Sequence, residues 1–136
     1  MPEHRLVERR PTVAEYRDLR RLSGLSEKTV DAAERGLPGT LFAVVIEADG
    51  AAIGMGRIIG DGGTAYQVVD IAVLPAHRGK GLGKRIVDAL VAWLHANAPK
   101  SAYVSLIADG PAKDLYAQYG FKPVMPESIG MGMKIT

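Results

Sequence analysis

The run Val68-Val69-Asp70-Ile71-Ala72-Val73-Leu74-Pro75-Ala76-His77-Arg78-Gly79-Lys80-Gly81-Leu82-Gly83-Lys84-Arg85 carries the strongest structural signal in the chain. Its first part is a short apolar segment rich in β-branched residues, which predicts a buried strand. Pro75 has no N–H to give to a ladder, so the strand is expected to stop there. From Arg78 to Gly83 glycines alternate with other residues, and Ile86, Val87, Leu90, Val91, Trp93 and Leu94 then recur at helical spacing. Glycines allow close backbone approach and can aim several N–H groups at one point. A helix start adds unpaired donors and partial positive charge. With Arg78, Lys80, Lys84 and Arg85 alongside, the loop reads as a site for an anion such as a phosphate or pyrophosphate.

Two familiar phosphate loops do not fit. A Walker loop ending on Gly83-Lys84 would need glycine where Arg78 stands and Ser or Thr where Arg85 stands. A dinucleotide fingerprint needs GxGxxG, whereas the spacing here is Gly79-x-Gly81-x-Gly83. What remains is RxxGxG, filled by Arg78, Gly81 and Gly83. Strand, proline, RGKGLG and helix together resemble the acetyl-coenzyme A motif of the GNAT acetyltransferase superfamily. A second segment resembles that family's later signature: the apolar run Ala102–Ala108, then Ala112-Lys113-Asp114-Leu115-Tyr116, closing on Gly120-Phe121. The resemblance is specific from about Arg57 to Phe121 and is compatible with the whole chain.

The resemblance implies particular site residues. The loop, Arg78, Gly79, Lys80, Gly81, Leu82, Gly83 and Lys84, would hold the coenzyme A pyrophosphate. The backbone of Ile71, Ala72 and Val73 would hold the pantetheine arm and thioester carbonyl, where a bulge commonly splays this strand from its neighbour. Asp109, Ala112, Tyr116 and Tyr119 would lie along the coenzyme, although Asp109 stands where the family often has asparagine and is expected first to cap the next helix. Tyr116 occupies the position of the family's catalytic tyrosine, whose hydroxyl protonates the departing thiolate. A phenol near pKa 10 can give a proton to a thiolate near about 8.5. Without the motif, Tyr116 would read as a half-buried aromatic.

Asp70 is the one carboxylate within the central strand, and a charge there is costly unless paired. As the second catalytic candidate it is open to four readings: general base, substrate orientation, water relay, or structural hydrogen-bond hub. The glucosamine-phosphate acetyltransferases that the chain resembles here often carry glutamate before this aspartate, whereas Val69 stands in that place. Strand alternation puts Asp70 opposite Ile71 and Val73 and on one face with Val68 and Ala72. Arg57 and Tyr66 are expected in the strand pair beside the donor, lining the acceptor cleft.

Composition bounds the rest. At 136 residues, 47% hydrophobic and 24% charged, the chain is expected to form a single domain over 1–136 with a real core. A net charge of +2, with the basic residues near the motif confined to one compact loop, argues against a nucleic-acid binder. There is no cysteine for a disulfide or thiol nucleophile, and His4, His77 and His95 have no metal-ligand spacing, so no metal is expected. No signal peptide or membrane-spanning run is visible, so the expected location is cytoplasmic, with no membrane partner.

Along the chain, Arg5–Arg9 suggests an edge strand. Thr12 and Glu15 form a capping box for a helix whose apolar face is Tyr16, Leu19, Leu22 and Leu25. A short helix over 26–35, strands over 41–47, 51–59 and 64–73, the helix over 83–96, a strand over 102–108, a helix near 111–119 and two last strands at 123–125 and 130–135 complete the expectation. This is an α/β (α+β), GNAT-like fold: a mixed, mostly antiparallel sheet of six to seven strands flanked by about four helices. The implied function is acetyl-CoA-dependent N-acetyl transfer to a primary amine, of a small molecule, by direct attack in a ternary complex. The rival readings are a non-catalytic acyl-CoA sensor and a protein-lysine or N-terminal acetyltransferase. Oligomeric state stays open, a homodimer through exposed late strands being one arrangement such a fold allows.

Overall fold

A computed structural model describes residues 3–136, which form two compact units, one ending at Leu106 and the other spanning Ile107–Thr136. The first unit is built on a sheet in the order β1-β2-β3-β4-β5: β1 (Arg5–Val7), β2 (Phe42–Ala48), β3 (Ala51–Gly60), β4 (Ala65–Val73) and β5 (Tyr103–Ser105). The first three pairings are antiparallel, and β4 pairs with β5 in parallel. A parallel pair needs a crossover, which α3 (Leu82–Asn97) supplies. Helices α1 (Val13–Ser23) and α2 (Val30–Gly36) connect β1 to β2.

The local signals act as the residue types require. Thr12 caps α1, its hydroxyl accepting from the Glu15 N–H at 3.1 Å while the Glu15 carboxylate accepts from the Thr12 N–H at 2.9 Å. Gly24 closes the helix in the left-handed conformation at φ 95°. Tyr16 and Leu19 are buried, but Leu22 is half exposed. At about 100° per residue Leu22 lies about 120° round the helix from Tyr16, whereas Arg20 lies on the buried stripe.

The two faces of the sheet are packed differently. On one, α3 lays Ile86, Val87, Leu90 and Leu94 over β2, β3 and β4. Its Trp93 ring stacks on Phe42 at 5.4 Å and meets the Tyr66 edge at 6.2 Å. Gly56 makes this closeness possible, since a Cβ there would sit 2.6 Å from the Ile86 Cγ2 and 3.1 Å from the Leu90 Cδ1. On the other face α1 and α2 cover a core of Tyr16, Leu19, Ala33, Leu37, Met55 and Ala72. Tyr66, expected to line the acceptor cleft, is instead buried in the α3 core.

Strand β4 contains a bulge. Met55 pairs with Ala72 and Arg57 with Val69, so Asp70 and Ile71 together oppose the single residue Gly56. Asp70 adopts the left-handed backbone region at φ 58°. One extra residue reverses alternation beyond it. Val68, paired with Ile58, faces α3, whereas Ala72 packs with Met55 on the α1 face. The expected common face for Val68, Asp70 and Ala72 is thus broken at Asp70.

The strand count falls short of the six to seven expected. The segment 102–108 yields only Tyr103–Ser105, because its ladder to β4 stops at Gln67. The second unit contains α4 (Ala112–Ala117), and among the described residues neither 123–125 nor 130–135 forms a strand. Met131, Met133 and Ile135 are each more than four-fifths exposed, so no buried face fixes an extended register there.

Candidate active site

Three features of the first unit converge where β4 ends. The first is an open strand edge. Strand β5 pairs only with Ala65, Tyr66 and Gln67, while β4 continues to Val73. From Val68 onward that edge has no ladder partner among the described residues, and it contains Ile71, Ala72 and Val73. Unpaired strand groups form a template for an extended ligand arm.

The second is the glycine loop. A 3-10 turn over Pro75–His77 follows β4, and then Gly79 and Gly81 adopt left-handed φ values of 78° and 75°. Gly81 is the N-cap of α3 and supplies no capping side chain; no acidic residue stands in the first turn. The amides of Leu82, Gly83 and Lys84 at the helix start are donors of the kind that an anion satisfies. Lys80 and Lys84 are exposed beside them. Arg78 behaves differently from a freely solvated charge: its Nε donates to the Val73 carbonyl at 3.0 Å and its Nη2 to the Ser23 carbonyl at 2.8 Å. It ties the end of β4 to the end of α1, with its stem at the loop's entrance.

The third is a buried polar cluster at the bulge. Asp70 Oδ1 accepts from Arg20 Nη1 at 2.5 Å and from the Tyr16 hydroxyl at 3.2 Å, and its Oδ2 accepts from Arg57 Nε at 2.8 Å. The side chains of Asp70, Arg20 and Arg57 are only 7%, 9% and 9% exposed. Both guanidiniums are held from behind. Arg20 donates to the Ser26 carbonyl at 2.7 Å and hydroxyl at 2.9 Å, and Arg57 donates to the Thr40 hydroxyl at 2.6 Å. The Tyr16 ring lies 5.9 Å from the Arg20 and 5.4 Å from the Arg57 guanidinium carbon. Burial, and then the Asp70 charge, push the Tyr16 phenol above its ordinary pKa.

In the second unit, Tyr116 sits on α4 with its ring 6.2 Å from that of Phe121. Burial, and then the Asp109 charge, raise its phenol pKa, so it keeps its proton well into the alkaline range. Asp109 does not cap α4 with its side chain: Pro111 is the N-cap, and the Asp109 backbone carbonyl accepts from the Ala112 N–H at 3.2 Å. Ala112 opens that helix, and Tyr119 follows its end, partly buried.

Sequence reasoning singled out Asp70 and Arg57 but missed Tyr16, Arg20, Ser26 and Thr40 around them. One signal was available, since Arg20 follows Tyr16 by four residues on a stripe that otherwise buries. It also missed His4 and His77, whose Nε2 and Nδ1 lie 2.9 Å apart beside the loop. Burial, then the charges of His77, Lys80 and Arg85, lower the His4 pKa, with Asp49 opposing.

Residues 39–123 match the family model described as an acetyltransferase (GNAT) domain. The chain belongs to the GNAT acetyltransferase family. The GNAT fold extends over nearly all of it: a solved structure from meticillin-resistant Staphylococcus aureus, of a protein described as a probable acetyltransferase of unknown function, is 44% identical. That likeness covers 98% of this chain and 100% of the other, with a TM-score of 0.93. A GNAT-family protein described as a putative acetyltransferase from Xanthomonas campestris is 28% identical over 99% of this chain and 95% of its own, with a TM-score of 0.76. Mycothiol acetyltransferase of Corynebacterium efficiens is 37% identical over 62% of this chain, but the match spans only 27% of that relative's length. The GNAT domain here thus corresponds to about a quarter of that longer enzyme. Among the described residues no group of three or more metal-ligating side chains occurs, and no helix is long and apolar enough to cross a membrane.

Proposed function

We propose that this chain is an acetyl-coenzyme A-dependent N-acetyltransferase acting on a primary amine of a small molecule, with donor and acceptor bound together. The observation that carries this reading is the early end of the β4–β5 ladder: the open β4 edge runs straight into a left-handed glycine loop and a helix start without a capping side chain. The edge groups of Ile71, Ala72 and Val73 suit an extended amide-bearing arm. The amides from Gly79 to Lys84, with Lys80 and Lys84, suit a pyrophosphate. Acetyl-coenzyme A supplies an activated acetyl thioester, and the chain's own groups bind it, orient it and move protons.

The acceptor must be neutral to attack, since an alkylammonium with a pKa of about 10.4 has no lone pair to offer. Tyr116, retaining its proton at neutral pH, is the proton donor for the departing sulfur. The chain contains no cysteine, so direct transfer to the amine is favoured over a cysteinyl relay. Residues of the glycine loop, with Asp109, Ala112 and Tyr119, are the remaining proposed contacts of the coenzyme.

The test is thiol release from acetyl-coenzyme A across a panel of polyamines, amino sugars, arylalkylamines, amino acids and lysine peptides, with thermal shift by acetyl-coenzyme A in the same plates. Release dependent on one class of small amine is the expected result. Release with lysine peptides alone overturns the small-molecule reading. Thermal stabilisation without release from any amine points to an acyl-coenzyme A sensor. Neither shift nor release removes the coenzyme assignment altogether. Tyr116→Phe is expected to lower turnover while leaving acetyl-coenzyme A affinity within about twofold; intact turnover reduces Tyr116 to packing.

A further inference from the structure

We infer that Asp70 is a positioning residue whose carboxylate, clamped by Arg20, Arg57 and Tyr16, holds the β4 bulge and so sets the course of the Ile71–Val73 edge. This inference rests on the coenzyme reading above and assigns Asp70 a task other than proton abstraction.

The geometry argues from two sides. A carboxylate has about four lone-pair positions. Here both on Oδ1 are taken, by Arg20 and Tyr16, and one on Oδ2 is taken by Arg57. The side chain is 7% exposed, so an incoming amine finds at most one lone pair left, on Oδ2, shielded by two buried guanidiniums, and a closer approach means displacing one of them. Breaking a buried pair in this way leaves an uncompensated charge, a cost of about 3–5 kcal/mol.

The backbone of the same residue is where β4 departs from regular strand geometry. Asp70 is the extra residue opposite Gly56, and it sits at φ 58°, a region that non-glycine residues seldom occupy. Aspartate is among the few that tolerate it. A left-handed residue persists only when its surroundings over-determine it. Helix α1 provides Tyr16 and Arg20, strand β3 provides Arg57, and Ser26 and Thr40 hold the two guanidiniums in place. A bulge bends its strand and raises the local twist. The residues that follow, Ile71 to Val73, lie on the edge left open beyond Gln67. The clamp thus links helix α1 to the backbone groups proposed to receive the coenzyme arm.

The experiment compares Asp70→Asn and Arg20→Lys with the parent chain. Asparagine also tolerates the left-handed region and keeps one carbonyl acceptor, but it cannot serve as a base. Lysine keeps the charge at position 20 but loses the guanidinium fork. Folding is checked by thermal melting. The readouts are amide hydrogen exchange over 69–73, acetyl-coenzyme A affinity by calorimetry, and the pH profile of kcat/KM. The expected result is faster exchange over 69–73 and acetyl-coenzyme A affinity weaker by about 10-fold in both variants. The acid limb of the pH profile is expected to stay where it is in the parent chain.

Asp70→Asn with parental affinity and exchange, turnover lower by about 100-fold or more and the acid limb abolished, overturns the inference in favour of a general base. Parental behaviour in every readout overturns it as well. If Asp70→Asn fails to fold, Arg20→Lys carries the test, because a base role for Asp70 leaves coenzyme affinity and exchange in that variant unchanged. A parent chain that binds no acetyl-coenzyme A removes the proposed function, while hydrogen exchange still reports whether the clamp holds the bulge.

Discussion

The α3 face and the α1 face of the sheet solve the same burial problem with different chemistry. The α3 face is apolar and close-packed, with Ile86 and Leu90 fully buried over Gly56 and an aromatic cluster of Phe42, Tyr66 and Trp93 at its end. The α1 face mixes apolar packing around Met55 and Leu19 with a buried aspartate between two arginines. Apolar burial is non-directional and stabilises in proportion to area. Buried ion pairs contribute little net stability but penalise any other arrangement. The β3–β4 bulge coincides with the directed bonds of Asp70, while a second register shift, at Ile46/Glu47 in the β2–β3 pair, lies away from that cluster. Gly56 faces α3 directly across from the bulge, so the two solutions meet at one rung.

The largest loss that would sharpen this contrast is expected from Arg57→Met. It keeps most of the stem volume but removes a partner of Asp70, at a cost of about 3–5 kcal/mol in denaturant unfolding. A cost below about 1 kcal/mol would mean that the cluster is not directional glue. On the other face Leu90→Ala should cost about 2–5 kcal/mol by loss of transfer energy and creation of a cavity. Acetyl-coenzyme A affinity, corrected for unfolded protein, should hardly move in that variant, and a large change would show that the α3 face also shapes the β4 edge. Gly56→Ala should cost about 1–3 kcal/mol, because the added methyl meets branched methyls of Ile86 and Leu90 rather than a flexible chain end.

The smallest effect concerns charges away from both faces. Hydrogen bonds from Arg9, opposed in part by burial, lower the Glu15 pKa from 4.5 to about 2. A depressed carboxylate pKa contributes stability that is fully present above about pH 4.5 and is lost as pH falls towards 2. Glu15→Gln should flatten part of that acid slope in urea melts taken from pH 5 to pH 2. Asp61, held low by Thr64 and the turn amides, supplies another part of it. An unchanged slope would place the acid sensitivity at Asp61 instead.

Much of the architecture is legible in residue order. Thr12 and Glu15 mark a helix start, and Pro75 with the glycine run marks the change from strand to helix. These are local signals, carried by residues a few positions apart. The expected strands at 123–125 and 130–135 do not form, because extended-looking residues form a strand only when a partner edge exists, which no local pattern reports. Leu22 is exposed because helical angle, more than hydrophobicity, decides which side of α1 is buried, and the same angle places Arg20 on the buried stripe.

By itself, the sequence determined the family, the order of most elements and the glycine loop from Arg78 to Gly83 that leads into α3, because turn chemistry, helix caps and apolar periodicity act over short range. Tertiary structure alone decided the early end of the β4–β5 ladder, the reversal of alternation at Asp70 and its partnership with Tyr16, Arg20 and Arg57. Those depend on which distant groups arrive at one place. A buried charge is resolved only by the partners that the fold brings to it.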